Sequence, residues 1–137
     1  MKTVLYVCVH NAGRSQMAEA FTNTLAKERG IAVHALSAGT IAGEAINPQA
    51  VSVMQELGIF MTQQHPKQLT QEMADSADRV VTMGCGVEAE ACPARIHLSE
   101  DWGLDDPKGL PIEKVRFIRD QIKAKVETLL AEWGGEA

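Results

Sequence analysis

The chain has 137 residues, 45% of them hydrophobic and 23% charged. A chain of that size suits one domain, burying about 70% of its unfolded surface, and the composition excludes a disordered tail, a coiled coil or a disulfide-built miniprotein. Thirteen Lys and Arg against 18 Asp and Glu leave a net charge of −5, which argues against a nucleic-acid or membrane-surface binder, although a small pocket can still be locally positive.

The predicted elements alternate between strands and helices. Thr3–Val9 is a continuous β-prone run, as in a strand buried on both faces. It meets His10-Asn11 with no small-residue cleavage pattern, so it reads as a strand and not as an export signal. Arg14–Arg29 follows as a helix with Met17, Phe21 and Leu25 on one stripe and Gly30 as its stop. Ile31–Ser37 is the second strand, closed by Ala38-Gly39. Asn47 caps a helix that opens at Pro48, buries Val51, Met54 and Leu57, and stops at Gly58.

Leu69–Ala77 reads as a short helix, Arg79–Thr82 as the third strand and Ala94–Leu98 as a fourth. Pro111 opens the last helix, whose stripe runs Ile112, Val115, Ile118, Ile122, Val126, Leu129, Trp133. The pairs Arg116–Asp120 and Lys123–Glu127 fit a solvated face of it. The methionines at 17, 54, 61, 73 and 83 suit core gap-filling. Histidines 34, 65 and 97 belong to no motif and read as surface or packing residues. The expected fold is α/β: residues 1–137 as a single domain, a central four-stranded parallel sheet with helices on both faces. No run approaches the ~18 apolar residues of a membrane span, so a cytoplasmic protein without membrane contact is expected.

In such sheets, sites lie at the carboxyl ends of the strands. There the first strand meets Cys8-Val9-His10-Asn11-Ala12-Gly13-Arg14-Ser15. Five residues between Cys8 and Arg14 can curl with successive N–H groups inward, a nest for a tetrahedral anion, and the helix start adds its unpaired N–H groups and positive dipole end. Arg14 offers two parallel donors to two anion oxygens. Gly13 allows close backbone approach, and Asn11 can brace the loop. The same electropositive ring favours the thiolate of Cys8, and Ser15 is placed to donate to that sulfur as it leaves.

Three cysteines cannot be a paired structural framework, and in a reducing compartment Cys8, Cys85 and Cys92 read as reactive thiols, metal ligands or core residues. Cys85 and Cys92 follow the third strand in a Gly-flanked stretch, Gly84-Cys85-Gly86, which supplies the reach that disulfide exchange needs. Zinc held by these two with His97 and His10 is a thinner alternative, since no Cys-x-x-Cys pair is present.

Cys8 to Ser15, Ser37-Ala38-Gly39 and Asp106-Pro107 resemble the low-molecular-weight protein tyrosine phosphatase fold. Within it, Arg14-Ser-Gln-Met-Ala-Glu19, Asn47-Pro48, Val80-Val-Thr82 and Trp102-Gly-Leu-Asp-Asp-Pro107 are similar to thioredoxin-coupled arsenate reductases. The resemblance runs from Thr3 into the last helix. It implies a three-thiol relay: Cys8 attacks arsenate held by residues 9–15, Asp106 protonates the departing oxygen, Cys85 takes Cys8 into a disulfide as arsenite leaves, and Cys92 draws the disulfide onto the Cys85–Cys92 pair. Thioredoxin would then reduce it, with a low-molecular-weight thiol and a glutaredoxin-like protein as the other donor. Asp105 is a rival for the acid role, and Asp106 could be a turn residue alone.

Some relatives hold potassium near the loop. Glu19, Asn11 and Ser37 match three of the positions concerned, and the fourth falls at Lys67, whose ammonium would stand in for the cation. No potassium requirement is therefore expected; separately, no other metal, no cofactor and a monomer are expected. The alternative function is a tyrosine phosphatase, disfavoured by Lys108-Gly109 after Asp106-Pro107 and by only 4% aromatic residues. A non-catalytic oxyanion sensor would need neither Asp106 nor both distal cysteines.

Overall fold

A computed structural model describes residues 2–83, 100–104, 107 and 109–134. The elements are β1 (Lys2–Cys8), α1 (Arg14–Arg29), β2 (Val33–Gly39), α2 (Pro48–Gln55), α3 (Gln71–Ser76), β3 (Arg79–Thr82), β4 (Glu100–Asp101) and α4 (Ile112–Gly134). The strands form one parallel sheet in the order β2-β1-β3-β4. Its central strand, β1, is buried from Val4 to Cys8, which is why its sequence is continuously apolar rather than alternating.

The pleat of β1 divides the core in two. Val4, Tyr6 and Cys8 join the larger cluster, with Met17, Phe21 and Leu25 of α1, Val53 and Met54 of α2, and Val115, Ile118, Ile122, Val126 and Leu129 of α4. Leu5 and Val7 face a smaller cluster with Ala38, Leu69 and Val80, against which Met73 and Ala74 of α3 pack. Helices therefore cover both faces, as the strand–helix alternation requires. Met17, Met54, Met61 and Met83 are buried. Burial of a side chain such as Phe21 contributes about 2–3 kcal/mol. Between the layers, the Tyr6 hydroxyl lies 2.7 Å from Thr22 Oγ1, and the Tyr6 and Trp102 rings meet at a tilt of 52°, their centroids 5.3 Å apart.

The helix caps follow the sequence. Gly30 takes φ 65° and ends α1, its N–H returning to Ala26 and Lys27. Asn47 accepts from the Gln49 N–H ahead of Pro48.

Several boundaries and partners differ from expectation. β2 starts at Val33 and includes Ala38 and Gly39, because these two pair with Val7 and Cys8 at the end of the ladder. α2 stops at Gln55, so Leu57 falls in the following turn and is 42% exposed; the helix buries Ala50, Val53 and Met54. The described part of the fourth strand is Glu100–Asp101, while the expected stretch 94–98 lies outside the described residues. On α4, Arg116 pairs with Glu56 of the α2 turn and not with Asp120, and Glu127 pairs with Arg29 of α1. Arg119, nearly buried, joins Glu56 and the Val53 carbonyl. These charges tie α4 to its neighbours. Among the described residues no helix is long and apolar enough to cross a membrane.

Candidate active site

The parallel register brings Cys8 level with Gly39, and Val7 level with Thr82, so the carboxyl ends of β1, β2 and β3 share one edge. Beyond it, residues 9–13 link β1 to the first turn of α1. Every carbonyl of this loop is accounted for on its outer side. The oxygens of Cys8, Val9, His10 and Ala12 accept from the N–H groups of Thr40, Ile41, Gly43 and Asn47, at 2.7–3.1 Å. Asn11 O accepts from Gln16 Nε2 at 3.0 Å, and Gly13 O from the Met17 N–H at 2.9 Å. In a trans peptide the N–H points opposite to the carbonyl, and the chain has no cis bonds among its described residues. Carbonyls facing outward therefore turn the N–H groups of residues 9–14 toward the loop's interior, which is a nest for an oxyanion. The N-cap of α1, Gly13, makes no side-chain cap bond.

Close approach makes this possible. A Cβ on Gly39 would stand 2.6 Å from Val9 O and 3.0 Å from Asn11 N, so the 40–47 segment can reach the loop carbonyls only past a glycine. Gly13 is nearly as tight, its would-be Cβ 3.1 Å from Pro107 Cγ. Asn11 takes φ 53°, a left-handed conformation that asparagine tolerates better than most residues.

At the bottom of the loop is the sulfur of Cys8, a residue only 4% exposed. It lies 3.2 Å from the Asn11 N–H and 2.9 Å from Ser15 Oγ. The direction of the second bond follows from its neighbours. The Lys67 N–H, which can only donate, reaches Asn11 Oδ1 at 2.9 Å. Asn11 Nδ2 must then be the group facing Ser15, donating to its oxygen at 2.7 Å. Ser15 is left with its own proton to give to Cys8, so the network ends on the sulfur and favours its ionised form.

Arg14, 6% exposed, donates to the carbonyls of Leu104 at 2.6 Å and Met83 at 3.2 Å, which fix its guanidinium beside the loop. His10 is exposed at the loop's rim, its Nδ1 3.1 Å from the Ile41 carbonyl.

Below the loop, buried Ser37 donates to Glu19 Oε1 at 3.0 Å, and Lys67 Nζ stands 3.6 Å from the same oxygen. A positive charge is thus supplied beside Glu19 by the chain itself. The structure therefore brings together Cys8, residues 9–15, Glu19, Ser37 and Lys67. Cys85, Cys92, Asp105 and Asp106 lie outside the described residues.

Sequence reasoning singled out Lys67 but not Gln16, Thr40 or Gln64, nor the bracing of the loop by the rest of segment 64–69. Gln16 is fully buried and holds Asn11 Oδ1 and the His65 carbonyl, and Gln64 Nε2 in turn reaches Gln16 Oε1 at 2.7 Å. Gly39 and Leu69 exchange bonds with Lys67 and Gly39 in a single bridge that lays the segment along β2. The available signal was Gln16 itself, a polar residue on the side of α1 that faces the loop.

The sequence profile described as low molecular weight phosphotyrosine protein phosphatase matches residues 3–136. An arsenate reductase of Halalkalibacterium halodurans is 38% identical, over 97% of both chains. A glutaredoxin arsenate reductase of Synechocystis sp. is 36% identical, over 96% of this chain and 98% of that one. Among solved structures, an arsenate reductase in the phosphate binding state superposes with a TM-score of 0.82 at 34% identity, covering 97% of this chain and 99% of the other.

Proposed function

The chain belongs to the low molecular weight phosphotyrosine protein phosphatase family, and we propose that within it this protein reduces arsenate to arsenite. The observation that carries the reading is the ring of inward N–H groups over a buried sulfur that ends a donor network. It occurs in a chain with two further cysteines and full-length similarity to arsenate reductases.

The loop and Arg14 bind the arsenate oxygens. The Cys8 thiolate attacks arsenic and one arsenate oxygen leaves, protonated by Asp106; Pro107 beside Gly13 supports that assignment. Cys85, as a thiolate, attacks Cys8 Sγ. The S–S bond forms, the sulfur–arsenic bond breaks, and its electron pair departs with arsenic as arsenite, so arsenic gains two electrons while two thiols become one disulfide. The sulfur of Cys8 is then the disulfide partner displaced when Cys92 attacks Cys85, and the Ser15 hydroxyl supports it as it leaves. Thioredoxin reduces the resulting Cys85–Cys92 pair. Such a cycle belongs in the cytoplasm, where the resting thiols stay reduced, and it needs one chain only.

The same loop accommodates phosphate geometry, which supports a weak side activity on small aryl phosphates.

The test supplies arsenate, thioredoxin, thioredoxin reductase and NADPH. One NADPH should be oxidised per arsenite formed, and C8S should abolish the reaction. A parallel assay with glutathione and glutaredoxin identifies the donor. Steady hydrolysis of an aryl phosphate with no arsenate-dependent NADPH oxidation would assign the protein to the phosphatases instead.

A further inference from the structure

We propose that Gln16 is a positioning residue that sets the anion loop around the Cys8 sulfur. The proposal rests on Cys8 being the nucleophile, but not on the identity of the substrate. Gln16 is fully buried, and its Nε2 has three acceptors within reach: Asn11 O at 3.0 Å, Asn11 Oδ1 at 2.9 Å and His65 O at 2.9 Å. Its own Oε1 accepts from Gln64 Nε2 at 2.7 Å. A flipped amide would set Oε1 against three oxygens, so only this orientation is satisfied.

Both atoms that Gln16 holds on Asn11 bear on the sulfur. Holding Asn11 O outward keeps the following N–H, that of Ala12, turned into the loop, and supports the left-handed φ of 53° that aims the Asn11 N–H at Cys8 Sγ. Holding Oδ1 leaves Nδ2 for Ser15 Oγ, and so commits the Ser15 proton to the sulfur. Without these donors two buried oxygens of Asn11 each lose a partner, and the loop can relax by turning a carbonyl inward, toward the position of the anion and the thiolate. Gln16 touches neither. It acts through Asn11.

The experiment follows alkylation of Cys8 by iodoacetamide as a function of pH in phosphate-free buffer, with the Cys8 peptide quantified by mass spectrometry in the full chain. Gln16→Met keeps the length of the side chain and removes its donors. It should raise the pH midpoint by about one unit, a tenfold loss of thiolate below the midpoint. Gln16→Glu sets a carboxylate against the Asn11 oxygens and should raise it at least as far. Folded variants with lowered thermal stability but the wild-type midpoint would make Gln16 a packing residue and overturn the proposal.

A measurement on the unaltered chain serves if both variants fail to fold. The side-chain amide proton resonances of Gln16 and Asn11 should titrate with the Cys8 midpoint, and resonances indifferent to pH across it would overturn the proposal. No arm uses arsenate. Failure of arsenate reduction and failure of this proposal are therefore read separately.

Discussion

Lys67 Nζ stands 3.6 Å from Glu19 Oε1, and the same carboxylate oxygen accepts the Ser37 hydroxyl at 3.0 Å. Glu19 is 8% exposed, so its charge requires a nearby partner, and the chain supplies one from the segment that also braces Asn11. Activity should therefore be unchanged when sodium is exchanged for potassium at fixed ionic strength. Lys67→Ala should cost about 1–2 kcal/mol in stability by leaving a largely buried carboxylate unpaired. Urea unfolding measures the second effect. A several-fold gain in rate with potassium for the unaltered protein would contradict the first.

Gly39→Ala should damage the loop from behind. Its Cβ would stand 2.6 Å from the backbone oxygen of Val9, which cannot rotate away as a flexible side chain could. Overpacking of this kind costs about 1–3 kcal/mol. Displacing the loop should also lower kcat/KM at least tenfold, checked by steady-state kinetics on a variant shown to be folded by circular dichroism. Wild-type kinetics with the alanine present would mean the loop has slack the geometry does not show.

Ser15→Ala should raise the pH at which Cys8 becomes reactive, since it removes the hydroxyl proton committed to the sulfur at 2.9 Å. A charge-assisted hydrogen bond of this kind contributes about 1.5–3 kcal/mol, so the midpoint of alkylation should move up by at least one unit. An unmoved midpoint would show that the proton points elsewhere.

Glu56 carries a pH dependence remote from the site. The Arg116 guanidinium hydrogen-bonded to it, with Arg119 beside it, holds its carboxyl below the ordinary value of 4.5. A carboxyl depressed in the folded state adds stability above its unfolded pKa and loses it as pH falls through the lower, folded value. The stability difference between the unaltered chain and Glu56→Gln should thus be present at neutral pH and shrink as acid titrates the group. Thermal melts at stepped pH measure it. A constant difference down to strongly acidic pH would refute the assignment.

Much of this architecture was legible from residue patterns because it depends on local rules. Continuous apolar runs mark buried parallel strands such as Val4–Cys8, and Asn47-Pro48 and Gly30 punctuate helices. The Cys8–Ser15 loop was equally legible, since a nest, a helix start and an arginine are contiguous in the chain. What was not legible depends on contacts between distant segments. The side chain of Gln16 gains its role only when residues 64–67 fold back over the loop, almost fifty positions away. Likewise, Arg116 has an acidic neighbour one helical turn on, yet α2 packs against α4 and offers it the bidentate grip of Glu56.

The most direct test exposes fully reduced protein to arsenate without any electron donor, then maps disulfides by mass spectrometry. One arsenite should be released per chain, with Cys85 joined to Cys92 and Cys8 returned to the free thiol. In Cys92→Ser the bond should instead be trapped between Cys8 and Cys85. Three free thiols and unchanged arsenate would contradict the account.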